Sequence, residues 1–217
     1  MKYAVVCAGG PDSEIADLEK FRHVDTVFIG ADRGALHLLK RGITPLEAIG
    51  DFDSVSEVEY DLIATSVQII GRFRSEKDET DLELAVNRAL SYQPEHIVLT
   101  GVTGGRLDHM ESALHLMYRL QMANKQTKFS IHNRTNELSI LNPGEHQVKP
   151  GIRYPYISFF PFGGTVEGLT LTGFKYETTD ATLETGMTLF TSNEPVSEVC
   201  TISFYKGICL MVRSSDS

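Results

Sequence analysis

The chain has 217 residues, 41% hydrophobic and 23% charged, which suits one large or two small globular domains and excludes a disordered polymer. A formal net charge of −9 argues against a broad nucleic-acid surface, which would carry a basic patch, but leaves room for a local nucleotide site. Three widely spaced cysteines, Cys7, Cys200 and Cys209, form no CxxC pair, so neither a zinc cluster nor a disulfide framework is indicated.

The amino terminus, Met1-Lys2-Tyr3-Ala4-Val5-Val6, soon meets Gly9-Gly10-Pro11, and its apolar run is too short for a signal peptide. No later stretch approaches a membrane-spanning length, and the cytoplasm is the expected compartment. Tyr3 to Ala8 reads as a buried strand, with Cys7 as a small hydrophobe inside it. Thr26 to Gly30, Ala48-Ile49 leading into Gly50, Val67 to Ile70 and His96 to Thr100 read as four more strands. Between them, Leu82, Leu84, Ala85, Ala89 and Leu90 recur at helical spacing, as do Met110, Leu114, Met117 and Leu120. Strands alternating with helices predict a Rossmann-like α/β domain over residues 1–125, with a mostly parallel sheet and ligands beyond the carboxyl ends of its strands.

After about Gln126 the pattern changes. Lys128 to His132, Glu137 to Leu141, Tyr156 to Phe160, Thr165 to Leu169, Thr188 to Thr191 and Val199 to Tyr205 are short, β-branched and aromatic. Asn142-Pro143-Gly144, Pro150-Gly151, Gly163-Gly164 and Gly173 punctuate them. Closely spaced strands without helical spacing predict an all-β second domain over residues 126–217, a β-sandwich or barrel.

Three motifs in the first half carry chemistry. Asp51 and Asp53, in Gly50-Asp51-Phe52-Asp53-Ser54, follow an apolar run, and alternate residues of an extended chain point the same way. Two such carboxylates suit a hard cation held against phosphates, although a lone Asp-X-Asp also fits an acidic turn. Asp78 and Asp81, in Lys77-Asp78-Glu79-Thr80-Asp81, stand at a helix start, where acids are also favoured by the helix dipole. Lys77 beside them is suited to neutralising phosphate charge, and equally to a solvated surface position. The third motif is Gly101-Val102-Thr103-Gly104-Gly105-Arg106-Leu107-Asp108-His109, directly after the strand ending at Thr100 and before a helix. Its glycines let backbone amides approach an anion, and Arg106 can grip a phosphate through two parallel hydrogen bonds. Asp108 fits either this site or a helix N-cap. Gly9-Gly10 and Asp32-Arg33-Gly34 occupy further strand ends and rank below the other three. In the second half, Thr191-Ser192-Asn193-Glu194 is a polar cluster able to hydrogen-bond a flat heteroaromatic ligand, and equally at home in a turn.

In this order the motifs resemble those of the thiamine pyrophosphokinase family, through Gly50 to Ser54, Asp78 to Asp81, Gly104 to His109, Gly168 to Tyr176 and Thr191 to Glu194. The resemblance covers nearly the whole chain. It implies an α/β domain followed by a β-sandwich that binds thiamine and dimerises, and a homodimer with active sites at the subunit interface. It also implies Mg²⁺-dependent transfer of the β,γ-pyrophosphoryl group of ATP to the hydroxyethyl oxygen of thiamine, giving thiamine diphosphate and AMP. Carried onto this chain, Asp51, Asp53, Asp78 and Asp81 are the Mg²⁺ and phosphate-site acids. Asp32, Arg33, Lys77, Thr80, Gly104, Gly105, Arg106 and Asp108 form the ATP and phosphate site, and Ser192 and Asn193 face the aminopyrimidine. Neither nucleic acid nor membrane is an expected partner. The chain departs from many relatives at Arg33, where they have glycine, and it has no tryptophan to stack on thiamine.

Overall fold

The computed structural model describes residues 1–72 and 79–216. Their contacts divide into two units, Met1–Arg134 and Thr135–Ser217. Lys77 and Asp78 lie outside the described residues.

The first unit runs β1 (Tyr3–Cys7), β2 (Thr26–Ala31), α1 (Gly34–Lys40), β3 (Glu47–Gly50), α2 (Glu57–Ser66), β4 (Ile69–Arg72), α3 (Asp81–Ser91), β5 (His96–Thr100), α4 (Leu107–Ala123) and β6 (Lys128–His132). Its strands lie in the order β4-β3-β2-β1-β5-β6, and each of these pairings is parallel. Both faces of a parallel sheet are covered, so its central strands are apolar throughout rather than alternating; Ala4, Val5, Val6 and Cys7 are completely buried. Two short 3₁₀ turns, Asp12–Glu14 and Glu19–Phe21, replace a helix between β1 and β2. Ile15, Ala16, Leu18 and Phe21 from that segment pack with Val5, Phe28 and Leu38.

The second unit contains β7 (Asn136–Leu141), β8 (Gly144–Val148), β9 (Tyr156–Pro161), β10 (Val166–Thr172), β11 (Thr178–Leu183), β12 (Cys200–Phe204) and β13 (Cys209–Ser214). β7, β13 and β9 pair antiparallel in that order, as do β11, β10, β12 and β8. One core joins the two groups, with Ile157, Phe159 and Cys209 against Leu169, Leu171, Phe174 and Ile202. That is a sandwich, and β12 shows the alternation most plainly, burying Cys200, Ile202 and Phe204.

Several details differ from the sequence expectation. Lys128–His132 pairs parallel with β5 rather than opening the antiparallel half. Val67 caps α2 and packs beside Ile63, so β4 begins two residues later than expected, at Ile69. Thr188 to Thr191 is a turn, touching a strand through Phe190, whose carbonyl accepts from the Phe159 amide at 3.0 Å. Among the described residues, no helix is long and apolar enough to cross a membrane.

Candidate active site

β1, β2, β3 and β5 run parallel, so their carboxyl ends share one edge of the first unit. Asp32 follows β2 and Asp51 follows β3. The Asp32 amide donates to the Ile49 carbonyl at 2.8 Å, tying the two strand ends together. Oδ1 of Asp32 accepts from the Phe52 amide at 3.0 Å, and Oδ1 of Asp51 accepts from the Asp53 amide at 3.1 Å. These bonds curl the loop, with Asp32 at φ 49° and Phe52 at φ 62°. Left-handed geometry at non-glycine residues is uncommon and costs about 1–2 kcal/mol each, so it persists only where the surroundings enforce it. Phe52 is enforced by burial, packing with Ile63 and edge-on against Tyr60 at 5.3 Å between ring centres.

The loop brings one carboxylate oxygen from each of Asp32, Asp51 and Asp53 within 4.8 Å of the others. Burial and the charges of Asp81, Asp51 and Asp53 push the Asp32 carboxyl up to about 7, against an opposing hydrogen bond from Phe52. Three acids this close, two of them partly buried, call for a neutralising positive charge. An oxygen-only donor set of this kind fits a hard divalent cation. Asp81 is the first residue of α3 and acts on Asp32 from there, while the Thr80 hydroxyl caps the helix by accepting from the Glu83 amide at 3.2 Å.

Sequence reasoning gave Asp32 a phosphate contact; the structure places it inside the acid cluster itself. The signal was its position after β2, matching that of Asp51 after β3, but a single Asp between alanine and arginine has no partner in sequence to mark it. Arg33, expected on phosphate, directs Nε and Nη2 to the Ser54 carbonyl at 3.2 and 2.8 Å. Its Nη2 lies 3.6 Å from Glu59 Oε2.

On the same edge, the loop after β5 leads into α4. The Gly10 amide donates to the Gly101 carbonyl at 2.8 Å, joining the loops that follow β1 and β5. Gly104 has φ 79°, and a Cβ there would run into the Glu14 side chain, so this glycine is required by both conformation and packing. A Cβ on Gly105 would meet Pro11 Cδ at 3.3 Å. Arg106 occupies the N-cap position of α4 with no side-chain cap, and Asp108 lies within the first turn rather than capping it. The Arg106 fork instead holds Asp108, Nε to Oδ1 at 3.1 Å and Nη2 to Oδ2 at 2.5 Å. The guanidinium draws the Asp108 carboxyl down to about 2. Both side chains are exposed, so Arg106 stands oriented at the open mouth of the helix.

In the second unit, Ser192 has φ 55° and its amide donates to the Ser158 hydroxyl at 2.9 Å. Asn193 is 1% exposed. Its Oδ1 accepts from the Tyr176 and Glu194 amides at 3.0 and 2.9 Å, and its Nδ2 donates to the Tyr176 carbonyl at 2.8 Å. Asn193 therefore spends its side chain on backbone and shapes the turn, while the Ser192 side chain is left as the polar group beside it.

Residues 18–131 match a family model described as thiamin pyrophosphokinase, catalytic domain, and residues 145–209 match one described as thiamin pyrophosphokinase, vitamin B1 binding domain. The chain is 40% identical over 216 residues to thiamine pyrophosphokinase of Bacillus subtilis (strain 168), covering 100% of each. The solved structure of thiamine pyrophosphokinase from Bacillus subtilis superposes with a TM-score of 0.93 over 100% of each chain, again at 40% identity. Yeast thiamin pyrophosphokinase shares the fold at 17% identity, with a TM-score of 0.78 over 99% of this chain and 86% of its own.

Proposed function

The chain belongs to the thiamine pyrophosphokinase family, and from that premise we propose Mg²⁺-dependent transfer of the β,γ-pyrophosphoryl group of ATP to the hydroxyethyl oxygen of thiamine, giving thiamine diphosphate and AMP. The observation that carries this reading is the meeting of Asp32, Asp51 and Asp53 within 4.8 Å on the strand-end edge that also bears Arg106. Asp51 and Asp53, with Asp32, would hold the cation, with Asp81 and Asp78 proposed as the further phosphate-site acids. When bound there, Mg²⁺ neutralises phosphate charge and orients the transferred group.

The residues of the chain do the rest by positioning and charge, which carry most of the rate in phosphoryl transfer. Arg106, oriented by Asp108 through Nε and Nη2, presents Nη1 to phosphate oxygens, and the Gly104-Gly105 turn offers backbone amides beside it. Lys77 adds a further positive charge. Asp78 or Asp81 accepts the proton as the thiamine hydroxyl attacks the β-phosphorus and AMP leaves. Ser192 meets the aminopyrimidine, in a pocket wall whose turn Asn193 fixes. As the family resemblance implies, the enzyme works as a homodimer with active sites at the subunit interface. Its compartment is the cytoplasm, which suits three buried free thiols.

Replacing Asp53 by alanine tests the reading. The exposed carboxylate contributes little to packing, so the variant folds with an unchanged melting temperature while AMP formation falls by about a hundredfold or more. Turnover that survived the substitution would refute the acidic site.

A further inference from the structure

We propose that Arg33 is a positioning residue for the acidic loop: it clamps the Asp51–Ser54 turn to the end of β2 and so sets the spacing of the three carboxylates. The inference rests on reading those carboxylates as a cation site. Arg33 directly follows Asp32, one member of the cluster, and its side chain reaches the carbonyl of Ser54, which directly follows Asp53, the most exposed member. Two guanidinium nitrogens converge on that one oxygen, at 3.2 and 2.8 Å. Nη2 also faces Glu59 Oε2 at 3.6 Å, and Glu59 is itself fixed by the Ser56 amide at 3.0 Å in the capping box of α2. The guanidinium is thereby anchored on a helix start as well as on the loop.

The loop needs such a clamp because it is curled against backbone preference. Asp32 and Phe52 both sit at positive φ, and the inner contacts that hold them there, Phe52 amide to Asp32 and Asp53 amide to Asp51, use the same carboxylates that bind the cation. A cation draws on those oxygens, so an outer restraint that does not depend on them keeps the geometry when it binds. Arg33 supplies that restraint from outside the cluster, through a backbone carbonyl. A glycine at this position would leave the Ser54 carbonyl without this grip.

Arg33→Lys is the informative substitution, since it keeps the positive charge but loses the two-nitrogen grip and the planar fork. Mn²⁺ binding to the nucleotide-free protein, read by electron paramagnetic resonance, is expected to weaken by about three- to tenfold, the net worth of one ordinary hydrogen bond. Amide exchange across residues 50–55 is expected to quicken, while cation-free ATP binding stays at the wild-type level. Glu59→Gln, which spares the Ser54 contact, is expected to show a smaller change in the same direction. Unchanged Mn²⁺ binding and exchange in Arg33→Lys would overturn the proposal. So would a loss confined to cation-free ATP binding, which would make Arg33 a direct phosphate contact. Wild-type protein that bound no Mn²⁺, or bound it equally well as Asp53→Ala, would remove the cation reading itself and the clamp with it.

Discussion

Asp32 is the residue at which local electrostatics speaks most clearly. Its carboxyl ordinarily titrates near 3.8 and is pushed up to about 7 by burial and by neighbouring acids. A raised acid favours the folded state below its ordinary value, and that advantage is lost as pH rises through about 7. A bound divalent cation opposes the loss, because it takes the place of the proton. The melting-temperature gain from added Mg²⁺ is therefore expected to grow between pH 5.5 and pH 8, and to lose most of that pH dependence in Asp32→Asn. An equal gain at both pH values in wild type would contradict the cluster's assignment. In the second unit the two polar neighbours separate by burial. Asn193→Ala strips the three hydrogen bonds that this buried side chain makes to backbone and is expected to cost about 2 kcal/mol or more in denaturant unfolding. Ser192→Ala is expected to leave stability within about 0.5 kcal/mol and to raise KM for thiamine with KM for ATP unchanged. The opposite pattern would return Asn193 to the ligand and Ser192 to the turn.

At the scale of elements, the parallel sheet depends on a buried charge. Glu47 opens β3 at 2% exposure and receives the Arg88 guanidinium Nε at 2.8 and 2.7 Å, together with the Tyr92 hydroxyl, both from α3 or its cap. This ties β3 to the helix whose first residue is Asp81. Glu47→Gln, which keeps the shape but weakens the link, is expected to lower the melting temperature by about 5 °C, measured calorimetrically. Strand and helix existence was legible wherever one physical signal dominated. β5 and β6 match the expected bounds because both are short apolar or β-branched runs, and α3 and α4 were visible as helices because apolar positions recur every three or four residues. α2 was not legible: Val58 and Leu62 are exposed and Ile63 is the one fully buried side chain, so no apolar stripe exists to read. α1 is seven residues long, too short for the spacing to repeat. β8 and β11 are polar or threonine-rich edge strands with one buried residue each, and β13 buries only its first two residues, so no alternation marks it. The acid pair Asp51–Asp53 was visible because its members stand two residues apart in sequence. Asp32 joins them only through β2–β3 pairing, a non-local contact that no local pattern encodes.

For the molecule as a whole, two cores of different construction divide the work. The parallel sheet gathers charged and glycine-rich loops at one edge, and the sandwich supplies a rigid frame for a polar turn. The three cysteines belong to these interiors rather than to the chemistry. All are buried, and burial pushes the Cys7 and Cys209 thiols up to about 12. Native protein is accordingly expected to leave a thiol-reactive dye uncoloured over minutes, with all three thiols reacting in denaturant; rapid labelling of native protein would show that a core opens. The family and fold narrow the reaction, and the identity of the products decides it. Purified protein with ATP, Mg²⁺ and thiamine is predicted to yield thiamine diphosphate and AMP in equal amounts, with none formed when the metal is chelated; ADP with thiamine monophosphate, or undiminished turnover in chelator, would contradict it.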